Sequence, residues 1–223
     1  MGPLKLVLFD VDGTLIDSQH AIVAAMETAA DEADLPTPTR ADTLSVVGLS
    51  LVEAVRRLFG TFDDYDQARM VQAYKNAYMT ARQTDGAPPF FDGALETLRA
   101  LHARDEVLLG TATGMSRRGM QRIIDTFGLT GVFATTQTAD DQPSKPDPAM
   151  VHAALSDTGV APRDAVFVGD TVYDIEAGRA AGVFTIGVGW GYHAPRDLER
   201  AGADAVIDSF ADLIPTIDRL WSE

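Results

Sequence analysis

The chain predicts an α/β fold, a doubly wound parallel sheet with an all-helical segment inserted early in its path. Three observations carry that expectation. Short apolar runs alternate with helical patterns through most of the sequence, the rhythm of strand–helix–strand units. The runs are continuously apolar rather than alternating, as strands covered on both faces are. Residues 17–86 break the rhythm, with helical stretches and no convincing strand.

Leu4–Phe9 is the first apolar run and ends at Asp10-Val11-Asp12-Gly13-Thr14. Strand side chains alternate, so Asp10 and Asp12 leave the strand on one side and Val11 on the other. The insert follows, with helical stretches at Ala21–Ala33, Leu51–Phe59 and Asp66–Arg82. Val52, Val55 and Leu58 recur in it at helical spacing. Gly86-Ala87-Pro88-Pro89 reads as a rigid return to the sheet. Ala94, Leu95, Leu98 and Leu101 then mark a helix, and Val107–Ala112 the second strand. Ser116 is placed to N-cap a helix whose Met120, Ile123, Ile124 and Phe127 follow the i, i+3, i+4, i+7 pattern. Val132–Thr135 is the third strand, and Asp147 followed by Pro148 reads as N-cap then first residue of a further helix. Ala165–Val168, Val183–Val188 and Ala205–Ile207 complete the strands, with Gly182 where a helix end needs φ > 0. Residues 1–16 and 87–223 are therefore expected to form the core, and residues 17–86 a helical cap over the sheet's carboxyl edge. Ligands of such sheets bind outside the carboxyl ends of the strands.

Composition narrows the function. A chain of 223 residues, 46% apolar, buries roughly 70% of its unfolded surface. A net charge of −15 opposes binding to nucleic acid or to an anionic membrane. It also opposes an anionic substrate, so a phosphate site needs a locally positive pocket. Lysines are confined to Lys5, Lys75 and Lys145. The absence of cysteine excludes disulfides, a thiol nucleophile and a thiolate metal site. No apolar run approaches the ~20 residues of a membrane span, and Asp10 comes too early for a signal peptide. A cytoplasmic protein is expected.

Chemistry-bearing residues gather at the strand ends. Two like charges such as Asp10 and Asp12 raise each other's cost of ionising, which asks for a cation nearby. The second strand runs into Thr113-Gly114-Met115-Ser116, where backbone N–H groups and the helix dipole suit an anion. Ser144-Lys145-Pro146-Asp147 follows the third strand, and Gly169-Asp170-Thr171-Val172-Tyr173-Asp174 the fourth. Singly, each has a plain structural reading: Thr113 and Gly-Asp as turns, Lys145 as solvated surface, Asp174 as a helix cap. Their shared placement at successive strand ends is what points to one crevice.

In this order the four segments resemble the haloacid dehalogenase-type hydrolase superfamily, whose motifs run DxDGT, Thr or Ser, Lys, and GDxxxD. The resemblance spans essentially the whole chain, cap included. Ala-Thr-Gly-Met-Ser-Arg-Arg-Gly and Ser-Lys-Pro-Asp-Pro-Ala-Met look like its phosphoglycolate phosphatase-like branch. It implies a Mg²⁺-dependent phosphatase of a small phosphorylated metabolite. Asp10 would be nucleophile and Asp12 acid/base, with Thr113, Gly114 and Lys145 on the phosphate. Asp10, Asp170 and the main-chain carbonyl of Asp12 would hold the metal, and Asp174 would orient a metal water or Lys145. A phosphosugar mutase uses the same motifs, and a catalytically silent binding protein is the alternative from another class. A phosphonate hydrolase would need a cap lysine, for which Lys75 is the one candidate. Carbon–halogen displacement has no need of Asp12.

Other features read more plainly. Arg117 and Arg118 follow Thr113 on a helix, where a solvated face outweighs a substrate contact. Gly187-Val188-Gly189-Trp190-Gly191 fails the dinucleotide spacing and reads as a loop closing the sheet edge. His20, His102, His152 and His193 are scattered without metal-ligand spacing. Met70, Tyr74 and Met79 read as helix packing. Gly48-Leu49-Ser50 is a candidate substrate-reading turn, with Tyr74, Lys75 and Tyr78 weaker candidates for the same role.

Overall fold

The computed structural model describes residues 3–60 and 63–222. Residues 1, 2 and 223 of the expected core, and 61–62 of the expected cap, lie outside the described residues. Six parallel strands, β1 (Lys5–Phe9), β2 (Val107–Thr113), β3 (Phe133–Thr138), β4 (Ala165–Gly169), β5 (Phe184–Val188) and β6 (Ala205–Ile207), form one sheet in the order β3-β2-β1-β4-β5-β6. Ten α-helices accompany them among the described residues: α1 (Gln19–Glu32), α2 (Arg40–Ser45), α3 (Leu51–Phe59), α4 (Asp64–Asp85), α5 (Ala94–His102), α6 (Arg117–Phe127), α7 (Ala149–Thr158), α8 (Val172–Ala180), α9 (Pro195–Ala201) and α10 (Leu213–Leu220). None of these is long and apolar enough to cross a membrane.

The central strand explains why its run is apolar at every position. Leu6 and Leu8 join Met150, Val151 and Ala154 of α7 on one face of the sheet. Val7 and Phe9 join Leu98 of α5, Met120 of α6 and Ile217 of α10 on the other. The chain winds from β1 out through β2 to β3, then crosses back to β4 and winds out to β6. Winding reverses between β1 and β4, so this Rossmann-like sheet opens its crevice at the carboxyl ends of those two strands.

Helices α1–α4 form the cap. It has a small core of its own, with Met26, Ala29 and Ala30 of α1 against Val55 of α3 and Met70 of α4. Side chains cap the helices locally: Ser50 accepts from the Glu53 N–H and Asp63 from the Asp66 N–H. The two crossings into and out of the cap are stitched together, since the Asp17 N–H donates to the Pro89 carbonyl at 2.9 Å. A second junction packs Val46, Leu49 and Ala54 of the cap against Tyr173 of α8.

Three details differ from the sequence expectation. Helix α2 was not foreseen; it is a short helix nucleated by a capping box in which Thr39 and Asp42 satisfy each other's backbone. Strand β3 continues through Thr135-Thr136-Gln137-Thr138, beyond the apolar run. It lies at the sheet edge, and its buried polar side chains are satisfied by Asp157, which accepts from Thr135 Oγ1 at 2.7 Å and Gln137 Nε2 at 2.8 Å. Helix α7 begins at Ala149 with Pro148 as its cap residue, one position later than expected. Asp147 still satisfies the Ala149 N–H at 2.9 Å.

Candidate active site

The carboxyl end of β2 and the segments after β1, β3 and β4 bring together Thr113, Asp10, Lys145 and Asp170. Backbone geometry sets the first of them. The Asp10 N–H donates to the Val168 carbonyl of β4 at 2.9 Å, which pins the end of β1 beside the end of β4. Gly13 then turns the chain with φ +87°, and a Cβ there would lie 2.3 Å from Asp170 Oδ2. Only glycine meets both demands.

Lys145 is buried between two carboxylates. Its Nζ lies 2.9 Å from Asp10 Oδ1 and 2.6 Å from Asp174 Oδ1, and donates to the Ala112 carbonyl at 3.2 Å. Of the three ammonium protons, Asp174 and the Ala112 carbonyl accept two, and Asp10 supplies the opposite charge at ion-pair distance. Burial alone would lower its pKa, but Asp10 and Asp174 more than offset that and hold it above the usual lysine range. Asp174 is fully engaged, because its Oδ2 accepts from the Thr171 N–H at 3.0 Å and Thr171 Oγ1 at 2.7 Å.

Asp10 is not satisfied in the same way. Its Oδ1 stands at ion-pair distance from Lys145 without hydrogen-bond geometry, and its buried Oδ2 has no hydrogen-bond partner among the described residues. Burial pushes the carboxyl up to about 7 despite the Lys145 charge. Asp170 is also buried; it accepts from Thr14 Oγ1 and from the Tyr192 N–H, both at 2.9 Å. Burial, then the charges of Asp174 and Asp10, hold its carboxyl well above the usual range. Asp10, Asp170 and Asp174 each offer an oxygen within 4.8 Å of the others. Three buried carboxylates face one ammonium, and one of their oxygens is orphaned. Hard oxygen donors with uncompensated negative charge fit a divalent cation such as Mg²⁺.

Asp12 is half-buried, and its side chain stands outside that cluster. Its Oδ1 accepts from Ser18 Oγ at 2.5 Å, and Ser18 Oγ lies 3.1 Å from the Tyr192 hydroxyl. Burial raises the Asp12 pKa, while the Ser18 hydrogen bond and the charges of Lys145 and Arg82 counter it. Thr113 is buried, its Oγ1 accepting from the Met115 N–H at 3.2 Å. A Cβ on Gly114 would lie 2.4 Å from the Leu49 carbonyl, so the turn before α3 closes directly over this loop. The Ser50 N–H ties the same turn to Ser144 Oγ at 2.8 Å, beside Lys145. Between core and cap lies a cavity of about 530 Å³, with Asp10, Asp12 and Thr113 lining it from the core.

Several contributors were not foreseen from sequence. Thr14 and Ser18 hydrogen-bond Asp170 and Asp12 from the chain that follows the aspartate pair. The glycine-rich stretch after β5 does more than close the sheet edge: Trp190 Nε1 donates to the Thr14 carbonyl at 3.1 Å, and Tyr192 reaches both Asp170 and Ser18. On the cap, Gly48-Leu49-Ser50 does reach the site. Met70 is buried packing as expected; Tyr74 packs against the same core and, with Met79, also lines the cavity. The weaker candidates Tyr74, Lys75 and Tyr78 all line the cavity; Arg82 was not foreseen, and its four-residue spacing from Tyr78 on one helix was the available signal. Arg117 is exposed and paired with Asp141, whereas Arg118 lines the cavity. Of the histidines, His193 bridges the Val172 N–H and the Ser45 carbonyl rather than facing the carboxylates.

Known proteins resemble this chain in sequence and fold. The family model for haloacid dehalogenase-like hydrolases matches residues 7–188. The pyrophosphatase PpaX of Bacillus pumilus is 32% identical over 215 residues, 96% of each chain. A phosphoglycolate phosphatase of Pseudomonas putida is 32% identical over 218 residues, 95% of this chain and 79% of its own. The crystal structure of a hydrolase from Pseudomonas syringae superposes with a TM-score of 0.83 at 26% identity, covering 97% of this chain and 99% of that one.

Proposed function

The chain belongs to the haloacid dehalogenase-like hydrolase family, and within it we propose a Mg²⁺-dependent phosphatase that cleaves a small phosphorylated metabolite through an aspartyl-phosphate on Asp10. One observation carries this reading: a buried Asp10 whose free oxygen points at no protein donor while Lys145 neutralises its neighbour. A carboxylate used only for structure would be hydrogen-bonded.

Asp10, Asp170 and the main-chain carbonyl of Asp12 would hold the ion. When bound, it would supply positive charge against the phosphate oxygens and keep Asp10 ionised. Lys145 adds a fixed positive charge beside Asp10, which would also offset the charge of the phosphate. Asp174 acts through Lys145, fixing its Nζ by the 2.6 Å contact. Thr113 Oγ1 and the Gly114 N–H would take phosphate oxygens at the head of α6. Asp10 would attack phosphorus in line, a recognised carboxylate role. Asp12, with its pKa raised by burial, would carry a proton to the leaving alkoxide and later take one from water. Ser18 orients its Oδ1 for that task.

Phosphoglycolate is the first compound to try, since a similar protein bears that activity in its name; pyrophosphate is the second for the same reason. Residues 17–86 are read as the cap that closes over the substrate, and the cytoplasm as its setting. Purified protein should release phosphate from p-nitrophenyl phosphate with Mg²⁺, lose that activity in EDTA and regain it when Mg²⁺ returns. Metal-independent turnover would sink the cofactor assignment. Transfer of phosphate to a sugar rather than to water would favour a mutase.

A further inference from the structure

The cavity's cap side carries charge that catalysis leaves unused. Tyr74, Tyr78 and Arg82 sit four residues apart on α4 and line one side. Arg118 and Arg122, also four apart, line it from α6. The Tyr74 and Tyr78 rings stack with centroids 5.9 Å apart. Arg82 follows Tyr78 by one helical turn on α4, and Arg122 lines the same cavity from α6, so the charges of both act on the Tyr78 hydroxyl. Among the described residues, neither Arg82 nor Arg122 has a carboxylate within ion-pair distance. Both are half-buried. In a chain of net charge −15, two half-buried guanidiniums without an ion pair among the described residues, with the exposed Lys75 and Arg118 at the same cavity, are conspicuous. Asp140 is the one acid of the rim, and it accepts from the Arg117 N–H.

We propose that Arg82 and Arg122, together with the Tyr78 hydroxyl, bind a second acidic group of the substrate. The substrate class is then a small phosphate compound with two acidic ends, the transferred phosphate at the core and a carboxylate or second phosphate at the cap. This rests on the phosphatase reading and deepens it. A guanidinium presents a planar fork of donors that matches either acid. Burial holds the Tyr78 hydroxyl protonated as a further donor. A neutral-tailed substrate would close the cap over two uncompensated cations, which costs free energy. A cavity of about 530 Å³ suits a ligand of this size.

The test measures binding, so it does not depend on turnover. Calorimetry at fixed free Mg²⁺ compares three hydrolysis-resistant probes: phosphonoacetate, methylenebisphosphonate and ethylphosphonate. Wild-type protein should bind at least one two-acid probe about tenfold or more tighter than ethylphosphonate, the gain of a charge-assisted contact. Whichever is tighter tells carboxylate from phosphate. Arg82→Gln and Arg122→Gln should each shrink that preference, and Arg82→Lys should restore part of it; circular dichroism checks folding. No preference in the wild type, or one that survives both glutamine variants, would overturn the subsite. Phosphate release without the preference would leave the phosphatase reading standing. The preference without phosphate release would do the reverse.

Discussion

Core and cap handle charge in opposite ways. In the core, Lys145 is buried and its ammonium is held by ion pairs with Asp10 and Asp174 and by the Ala112 carbonyl. In the cap, Arg82 is half-buried, lines the cavity and has no carboxylate within ion-pair distance among the described residues. The core charges are locked by strand ends that cannot shift without breaking a six-stranded sheet. The cap rests on a small separate core around Met26, Val55 and Met70 and meets the sheet layer through side chains such as Tyr173. Fixed charges suit chemistry common to many substrates, whereas open ones suit recognition of a particular substrate. The difference assigns bond breaking to the core and selection to the cap.

Changes in the core should hit all substrates alike. Asp10→Asn should lower kcat by at least about 10³-fold on p-nitrophenyl phosphate and on any natural substrate, the scale seen when a nucleophile is lost. Activity near wild type in a preparation free of contaminating phosphatase would break the division at its strongest point. Lys145→Met should destabilise the protein by about 3–5 kcal/mol, because it leaves Asp10 and Asp174 as buried charges without their partner. Urea denaturation measures this. A loss under about 1 kcal/mol would mean that the carboxylates are satisfied by something other than Lys145.

Changes in the cap should be selective. Met70→Ala removes a buried side chain and should cost about 2–5 kcal/mol of local stability. Hydrogen exchange should then rise on α1, α3 and α4 while the sheet amides keep their protection. Equal loss of protection in β1 and β4 would show cap and core unfolding as one unit and erase the contrast.

The smallest expected effect concerns the junction. His193 accepts from the Val172 N–H at 3.1 Å, and its Nε2 lies 3.2 Å from the Ser45 carbonyl of α2. Burial lowers its pKa below the ordinary 6.5; the Ser45 carbonyl and the charges of Asp174 and Asp197 oppose that, while Arg57 reinforces it. The folded protein therefore binds fewer protons at this site than the unfolded chain. Its contribution to stability is complete above pH 6.5 and is lost as pH falls from 6.5 through the lower folded value. His193→Gln should flatten the thermal stability profile in that window. An unchanged slope would remove the junction from the pH response.

Legibility in the sequence follows the same division. The sheet was readable because each strand is buried on both faces, which writes apolar runs such as Leu6 to Phe9 into the chain. The core of the site was readable because strand ends place Asp10, Thr113, Lys145 and Asp170 at fixed offsets from those runs. Supporting contacts were not: Tyr192 lies 22 residues from Asp170 and Thr14 lies 156 residues away, and no periodicity links them. In the cap, Tyr74, Tyr78 and Arg82 followed helical spacing, but the same spacing describes packing residues such as Met70. Which face of α4 meets the cavity depends on how α4 docks, and that is a tertiary fact. Polar strand β3 was cut short for a related reason, since Thr135 and Gln137 are buried only because Asp157 sits opposite.

The central claim is that Asp10 carries the phosphate. Borohydride reduces an acyl phosphate to an alcohol, so trapping during turnover with Mg²⁺ and substrate should convert Asp10 to homoserine, identified by mass spectrometry of the peptide that contains it. The account predicts that product at position 10, only with substrate present, and none in Asp10→Asn. Undiminished turnover with no homoserine at position 10, or reduction at another carboxylate, would contradict it.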